Sequence, residues 1–144
     1  MKRLLFVIAV LLAIQGTAQT VWNGTADQSW YDDSQSSFNI STPEQLAGLA
    51  QLVNGGNAMQ GKTIYLTADI WLNAEGSQTN QWTPIGQSNH SEGGCPSGTG
   101  SNRFSGTFNG NSYSVYNMYI NNSSTTGNGF FGGLNGATIT LFNL

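Results

Sequence analysis

The apolar and polar positions follow three patterns along the chain. Leu4 to Ile14 is unbroken apolar, residues 42–54 repeat their apolar positions every three or four residues, and from Lys62 onward the period falls to near two. The first run follows Lys2 and Arg3 and precedes the small residues Gly16-Thr17-Ala18. It is shorter than the roughly 20 apolar residues that a membrane-spanning helix needs, and it has the three parts of a secretory leader. Residues 1–18 are therefore predicted to be a signal peptide cleaved before Gln19, leaving 19–144 as a secreted or cell-surface chain. No Cys adjoins the cleavage point, which argues against a lipid anchor there.

The second pattern predicts the one helix, over 42–54. Thr42 suits the N-cap, Pro43 the first helical position, and Gln45 can close a capping box. Leu46, Leu49, Ala50 and Val53 form one apolar stripe, and Gly55-Gly56 ends it. With so few charges opposite, the stripe predicts a lid over a core.

The third pattern predicts strands. Gln19 to Asn39 mixes aromatics with polar residues and reads as an entry strand and turn, followed by a short strand at Phe38 to Ile40. Ile64, Leu66, Ala68 and Ile70 alternate along one strand, and Trp82 to Gly86 reads as a strand end running into a turn. Residues 87–102 form a Gly/Ser-rich loop without periodicity. Beyond it, Phe108-Asn109-Gly110 and Leu134-Asn135-Gly136 match at a spacing of 26, and Val115 and Ile139 at 24. An apolar residue, Asn-Gly and an alternating strand suit one coil of a stacked repeat. Two hairpins of a β-sandwich would carry the same Asn-Gly signal, so both architectures stand at this point.

Composition narrows the surface chemistry. Charged residues are 8% of the chain, against roughly 25% in an average soluble domain, while Gly alone contributes 19 residues. Such a chain shows water hydroxyls, amides and backbone, as exported β-proteins do. Without the leader, Lys62 and Arg103 face seven carboxylates, a net charge of −5. Nucleic acid needs several cations on its phosphates, so no nucleic-acid partner is expected, nor an anionic membrane. Cys95 is alone, so no internal disulfide forms.

Several blocks, taken in order, resemble one family. They are Phe38 to Ala50, Gly61 to Ile70, Trp82-Thr83-Pro84-Ile85-Gly86, Phe104 to Asn111 and Gly129-Phe130-Phe131-Gly132-Gly133-Leu134. Together they resemble the N-terminal portion of GLUG-motif β-helix proteins. These are common among surface and secreted proteins of gut Bacteroidetes and in non-catalytic regions of some IgA-specific metallopeptidases. The resemblance covers nearly all of 22–144. It implies a mainly β fold: a right-handed parallel β-helix whose N-terminal end is capped by the 42–54 helix. Trp71 departs from the family pattern, which usually has an acidic residue after Ala-Asp-Ile. Family members also continue through many more coils, which makes this chain a candidate fragment of a longer one.

Catalytic constellations are not legible. His90 is the single histidine, so a His-Glu-x-x-His zinc site is excluded, and a Ser–His–Asp triad would need His90 held rigidly. Asp27, Asp32 and Asp33 read as a solvated turn rather than a cation site, and neither metal nor cofactor is expected. Asp69 reads as a turn-ordering residue. Binding is the remaining class, with glycans or host and surface proteins as expected partners. Most of the aromatics read as core or coil-stacking residues, and Trp71, Trp82 and Tyr116 are the candidate ligand contacts. Around them, alternation places Val115 and Tyr113 inward, and Tyr116 and Met118 on the opposite side. The leading expectation is a non-catalytic adhesive module. The alternative is a carbohydrate-active enzyme, a polysaccharide lyase or hydrolase, using Asp69, Glu75 or Glu92 as acid and base. The uncharged end from Thr138 to Leu144 predicts end-to-end self-association through the C-terminal strand.

Overall fold

A computed structural model describes residues 19–86, 102–122 and 127–144. The expected leader at 1–18, and His90, Glu92 and Cys95 of the expected 87–102 loop, lie outside the described residues.

Among the described residues the fold is mostly β, with parallel strands and one α-helix. In chain order the elements are β1 (Ser37–Ile40), α1 (Pro43–Asn54), β2 (Thr63–Leu66), β3 (Ile70–Trp71), β4 (Thr107–Asn109), β5 (Val115–Tyr116) and β6 (Thr138–Thr140). One sheet has the order β1-β2-β4-β6 and a second pairs β3 with β5. Every strand pair and isolated bridge among the described residues is parallel. Parallel neighbours cannot be joined by a tight hairpin and need a crossover of a dozen or more residues. The two-hairpin reading of the Asn-Gly segments therefore does not hold. α1 lies in the first crossover, between β1 and β2.

Register follows side-chain chemistry. Phe38, Ile64, Phe108 and Ile139 are aligned across the four-stranded sheet. The first three are buried and Ile139 packs against the same core. Thr63, Thr107 and Thr138 stand in the row beside them, with Asn39, Tyr65, Asn109 and Thr140 on the other side. A one-residue slip in any pair would turn the apolar row to water, so burial itself fixes the alignment.

The spacing of 26 between the two Asn-Gly blocks is not the register of the fold. Phe108 lies opposite Ile139, and Leu134 pairs with Phe104 instead. Val115 aligns with Ile70 and not with Ile139. The two Asn-Gly pairs also do different work. Gly136 takes φ +66°, whereas near Gly110 the positive φ falls on Asn111 and Ser112. Gly110 is small for another reason: a Cβ there would lie 2.4 Å from the carbonyl oxygen of Leu141.

α1 begins and ends largely as its sequence dictates. The Thr42 side chain accepts from the Gln45 N–H, and the Gln45 side chain reaches back to the N–H of Ser41, one residue before the expected partner. At the C-terminus Gly56 has φ +107°, its N–H donates to Val53, and that of Asn57 donates to Leu52. This pair of bonds satisfies carbonyls the helix would otherwise leave open. Leu46, Leu49, Ala50 and Val53 are buried, so the apolar stripe covers core as expected.

The alternating run from Thr63 to Ile70 is not one strand. The chain leaves the first sheet after Leu66, and the Thr67 N–H still donates to Ile40. It enters the second sheet at Ile70, keeping Ile64, Leu66 and Ile70 fully buried while Ala68 is half-buried at the corner.

Candidate binding site at the Trp71–Tyr116 pair

The second sheet places one aromatic pair at the surface. Ile70 aligns with Val115 and both are buried, so alternation turns the next aligned residues, Trp71 and Tyr116, to the other face. Three backbone bonds hold the strands: Ile70 N–H to Ser114, Leu72 N–H to Tyr116, and Trp22 N–H to Trp71. The two rings stack with centroids 4.9 Å apart and planes 16° from parallel. Tyr116 remains 39% exposed. Such a pair contributes about 0.5–1.5 kcal/mol beyond its buried area, and it holds both rings in one orientation before any ligand arrives.

Two polar clamps fix the corners on either side. Asp69 accepts a bond from the Ser114 N–H at 2.8 Å, reaching across to the segment before β5 rather than within a turn of its own. On the far side, Asn73 is 1% exposed. Its amide nitrogen donates to the carbonyls of Asn80 and Asn117, and its side-chain oxygen accepts from the Asn80 N–H. Asn117 answers by donating from Nδ2 to the Asn73 carbonyl. Asn117 itself takes φ +55°, a left-handed conformation that Asn tolerates better than most residues.

A groove of about 400 Å³ runs beside the rings, lined by Gln19, Val21, Trp71, Ala74, Glu75, Tyr116 and Asn117. A second, also about 400 Å³, lies against the start of α1 and is lined in part by Ser41, Pro43, Ala68 and Asp69. Gln19 and Trp71 line both. The structure thus unites two of the three expected contact residues, Trp71 and Tyr116. Trp82 is elsewhere: it is 1% exposed, stacks on Phe130 and donates its indole N–H to the Phe130 carbonyl. Its aromatic, turn-flanked setting in the sequence gave no sign that the ring would turn inward onto Phe130. Tyr113 is also displaced from its expected inward position. The turn at Asn111 and Ser112 breaks the alternation, and Tyr113 is exposed although Val115 is buried. Gln19 and Asn117 line the groove without having been singled out in the sequence. Asn117 carried a usable signal, since it follows Tyr116 at a strand end.

Asp69 lines one groove and Glu75 the other. Asp27, Asp32 and Asp33 precede β1, with Asp27 half-buried and Asp32 and Asp33 exposed. Hydrogen bonds from Ser29 hold the Asp27 carboxyl below its ordinary range, and bonds from Ser34 do the same for Asp32. Asp33 is lowered by the Tyr31 hydroxyl first and by Lys62 second. Among the described residues no group of three or more His, Cys, Asp or Glu is placed to hold a metal ion, and no helix is long and apolar enough to cross a membrane.

Compared with family models, with curated proteins and with solved structures, the chain matches none.

Proposed function

We propose that this chain is an exported, non-catalytic module of a right-handed parallel β-helix that binds glycans through the Trp71–Tyr116 platform. The observation that carries the reading is the stacked, partly exposed ring pair bordered by Glu75 and Asn117. Sugar rings present flat patches of C–H groups that lie well on aromatic faces, and their hydroxyls bond to carboxylate and amide oxygens. A pre-set apolar surface with a few polar groups at its edge is the usual build of a binding site. The parallel, aligned strands support the solenoid part of the reading. So do the ordered sequence blocks that resemble GLUG-motif proteins. The leader-like residues 1–18 support secretion or surface display.

A non-catalytic role is supported by the commitment of Asp69 to the backbone. Glycoside hydrolysis uses two carboxyl groups on opposite sides of one scissile bond. Here the Asp69 carboxylate accepts the Ser114 backbone N–H.

The test is a glycan array and a mucin pull-down with the purified chain, beside Trp71→Ala and Tyr116→Ala. Retention by wild type and its loss in both variants is the expected result. Release of reducing ends from a bound polymer would overturn the non-catalytic reading, and retention indifferent to both substitutions would overturn the assignment of the site.

A further inference from the structure

We infer that the ligand is an extended, uncharged saccharide that crosses Trp71 from one groove into the other. This rests on the glycan-binding reading above and adds the length and charge of the ligand. Trp71 and Gln19 form a wall common to both grooves, so a chain lying in either one meets the other at the Trp71 ring. A single sugar fills part of one groove, and only an oligomer touches both.

The chemistry on the two sides is alike. The first groove offers the two rings, the Glu75 carboxylate and the Asn117 amide. The second offers the hydroxyls of Thr20 and Ser41 and the Asp69 carboxylate, beside the apolar Pro43 and Ala68. Each side therefore pairs apolar surface with acceptors for hydroxyl groups.

Charge sets the class of sugar. Among the described residues neither groove is lined by Lys, Arg or His. The Lys62 ammonium is committed to the Asp33 carboxylate and to the carbonyls of Asp33 and Gln35. Cleavage before Gln19 would put an α-ammonium at the common wall, yet two carboxylates still outnumber it. A uronate or sialylated chain entering the site would meet like charge on both sides of Trp71.

The experiment is calorimetric titration of the exported chain. The ligands are neutral gluco-, xylo- and manno-oligosaccharides of two and six units, with hexagalacturonate as the charged probe. The expected result is at least tenfold tighter binding of a six-unit neutral chain than of its two-unit counterpart. Hexagalacturonate should bind at least tenfold more weakly than that six-unit chain. Thr20→Arg and Ser41→Arg, both at exposed positions in the second groove, should each erase the length advantage. Equal affinity for both lengths, or indifference to both arginines, overturns the two-groove inference. The glycan-binding reading then survives, provided Trp71→Ala still abolishes binding. Hexagalacturonate binding as tightly as the neutral chain overturns the charge assignment. If no saccharide binds in any Trp71-dependent way, the glycan-binding reading fails and this inference fails with it.

Discussion

Asp69 accepts a hydrogen bond from the backbone N–H of Ser114, 45 residues further along the chain, at 2.8 Å. The bond ties the corner before β3 to the residue before β5, and so holds the Trp71 and Tyr116 rings in line. Asp69→Ala leaves that N–H without its partner and is expected to cost about 1–3 kcal/mol in chemical denaturation. Asp69→Asn keeps a side-chain oxygen to accept the bond and should cost clearly less. An acid or base in catalysis would show the opposite ranking of concern: Asn would remove its chemistry while sparing the fold. Equal destabilisation by Ala and Asn would mean that charge, not the hydrogen bond, carries the effect.

Gly48 stands inside α1, where replacing Gly by Ala normally favours the helix by roughly 1 kcal/mol. Here the sign reverses. A Cβ on Gly48 would lie 1.9 Å from the carbonyl oxygen of Asp27 and 2.6 Å from its carbon, both backbone atoms. The Asp27 N–H is itself bonded to the Glu44 carbonyl, so that segment is pinned against the helix. Gly48→Ala is expected to destabilise by about 1–3 kcal/mol through overpacking. A melting temperature equal to or above that of wild type would show that the 27–28 segment moves away freely.

How far these features were readable differs with the range of the interaction that makes them. α1 was legible because its caps and its Leu46–Leu49–Val53 stripe are local, and a capping side chain meets its partner within four residues. Phe38 to Ile40 and Ile64 to Leu66 were legible by alternation. The corner at 67–69 was not, because Ile64, Leu66 and Ile70 are all buried whether the strand runs straight or turns into another sheet. Register between strands failed for a related reason. Asn-Gly marks a turn, but turns here differ in length, so matching the Asn-Gly pairs aligned Phe108 with Leu134 rather than with Ile139. The site was half-legible. Trp71 and Tyr116 were picked out singly, whereas their stacking depends on the Ile70–Val115 alignment. The covering of Trp82 depends likewise on Phe130, 48 residues away.

Acid should loosen the 31–38 region before the rest. The Asp33 carboxyl is held below its ordinary value of 3.8, by the Tyr31 hydroxyl first and Lys62 second. A carboxyl whose value falls on folding contributes stability that is fully present above the unfolded value and is lost as pH drops through the folded one. The window therefore lies below about pH 4. Trp30 sits edge-on to both Tyr31 and Phe38 and reports locally. Its emission should change across that window, and Asp33→Asn should flatten the change while lowering the plateau at neutral pH. An identical acid profile in Asp33→Asn would remove Asp33 from the account. Because the group is exposed, the effect should also shrink in high salt.

The last strand predicts self-association. β6 pairs with β4 on one side, and no described strand covers its other edge. Leu141 and Leu144 are 63% and 65% exposed at that end, with Leu134 also exposed. A free strand edge flanked by apolar side chains is a template for pairing with another chain. Pairing of one β6 edge with another copy's β6 edge closes as a symmetric dimer. The expected outcome is a dimer whose fraction rises with concentration in sedimentation velocity. Testing it with Ile139→Lys would be ambiguous, because Ile139 packs against the core and its loss would also unfold the strand. Leu141 is the cleaner probe. It is exposed and sits at φ +48°, a region that costs a branched L-residue roughly 1–2 kcal/mol. Leu141→Asn therefore removes apolar surface and relieves strain together. It should raise the melting temperature of the monomer and lower the dimer fraction, and Leu144→Lys should lower the dimer fraction alone. A wild-type chain that stays monomeric throughout the concentration series would overturn the prediction, as would a dimer untouched by either substitution.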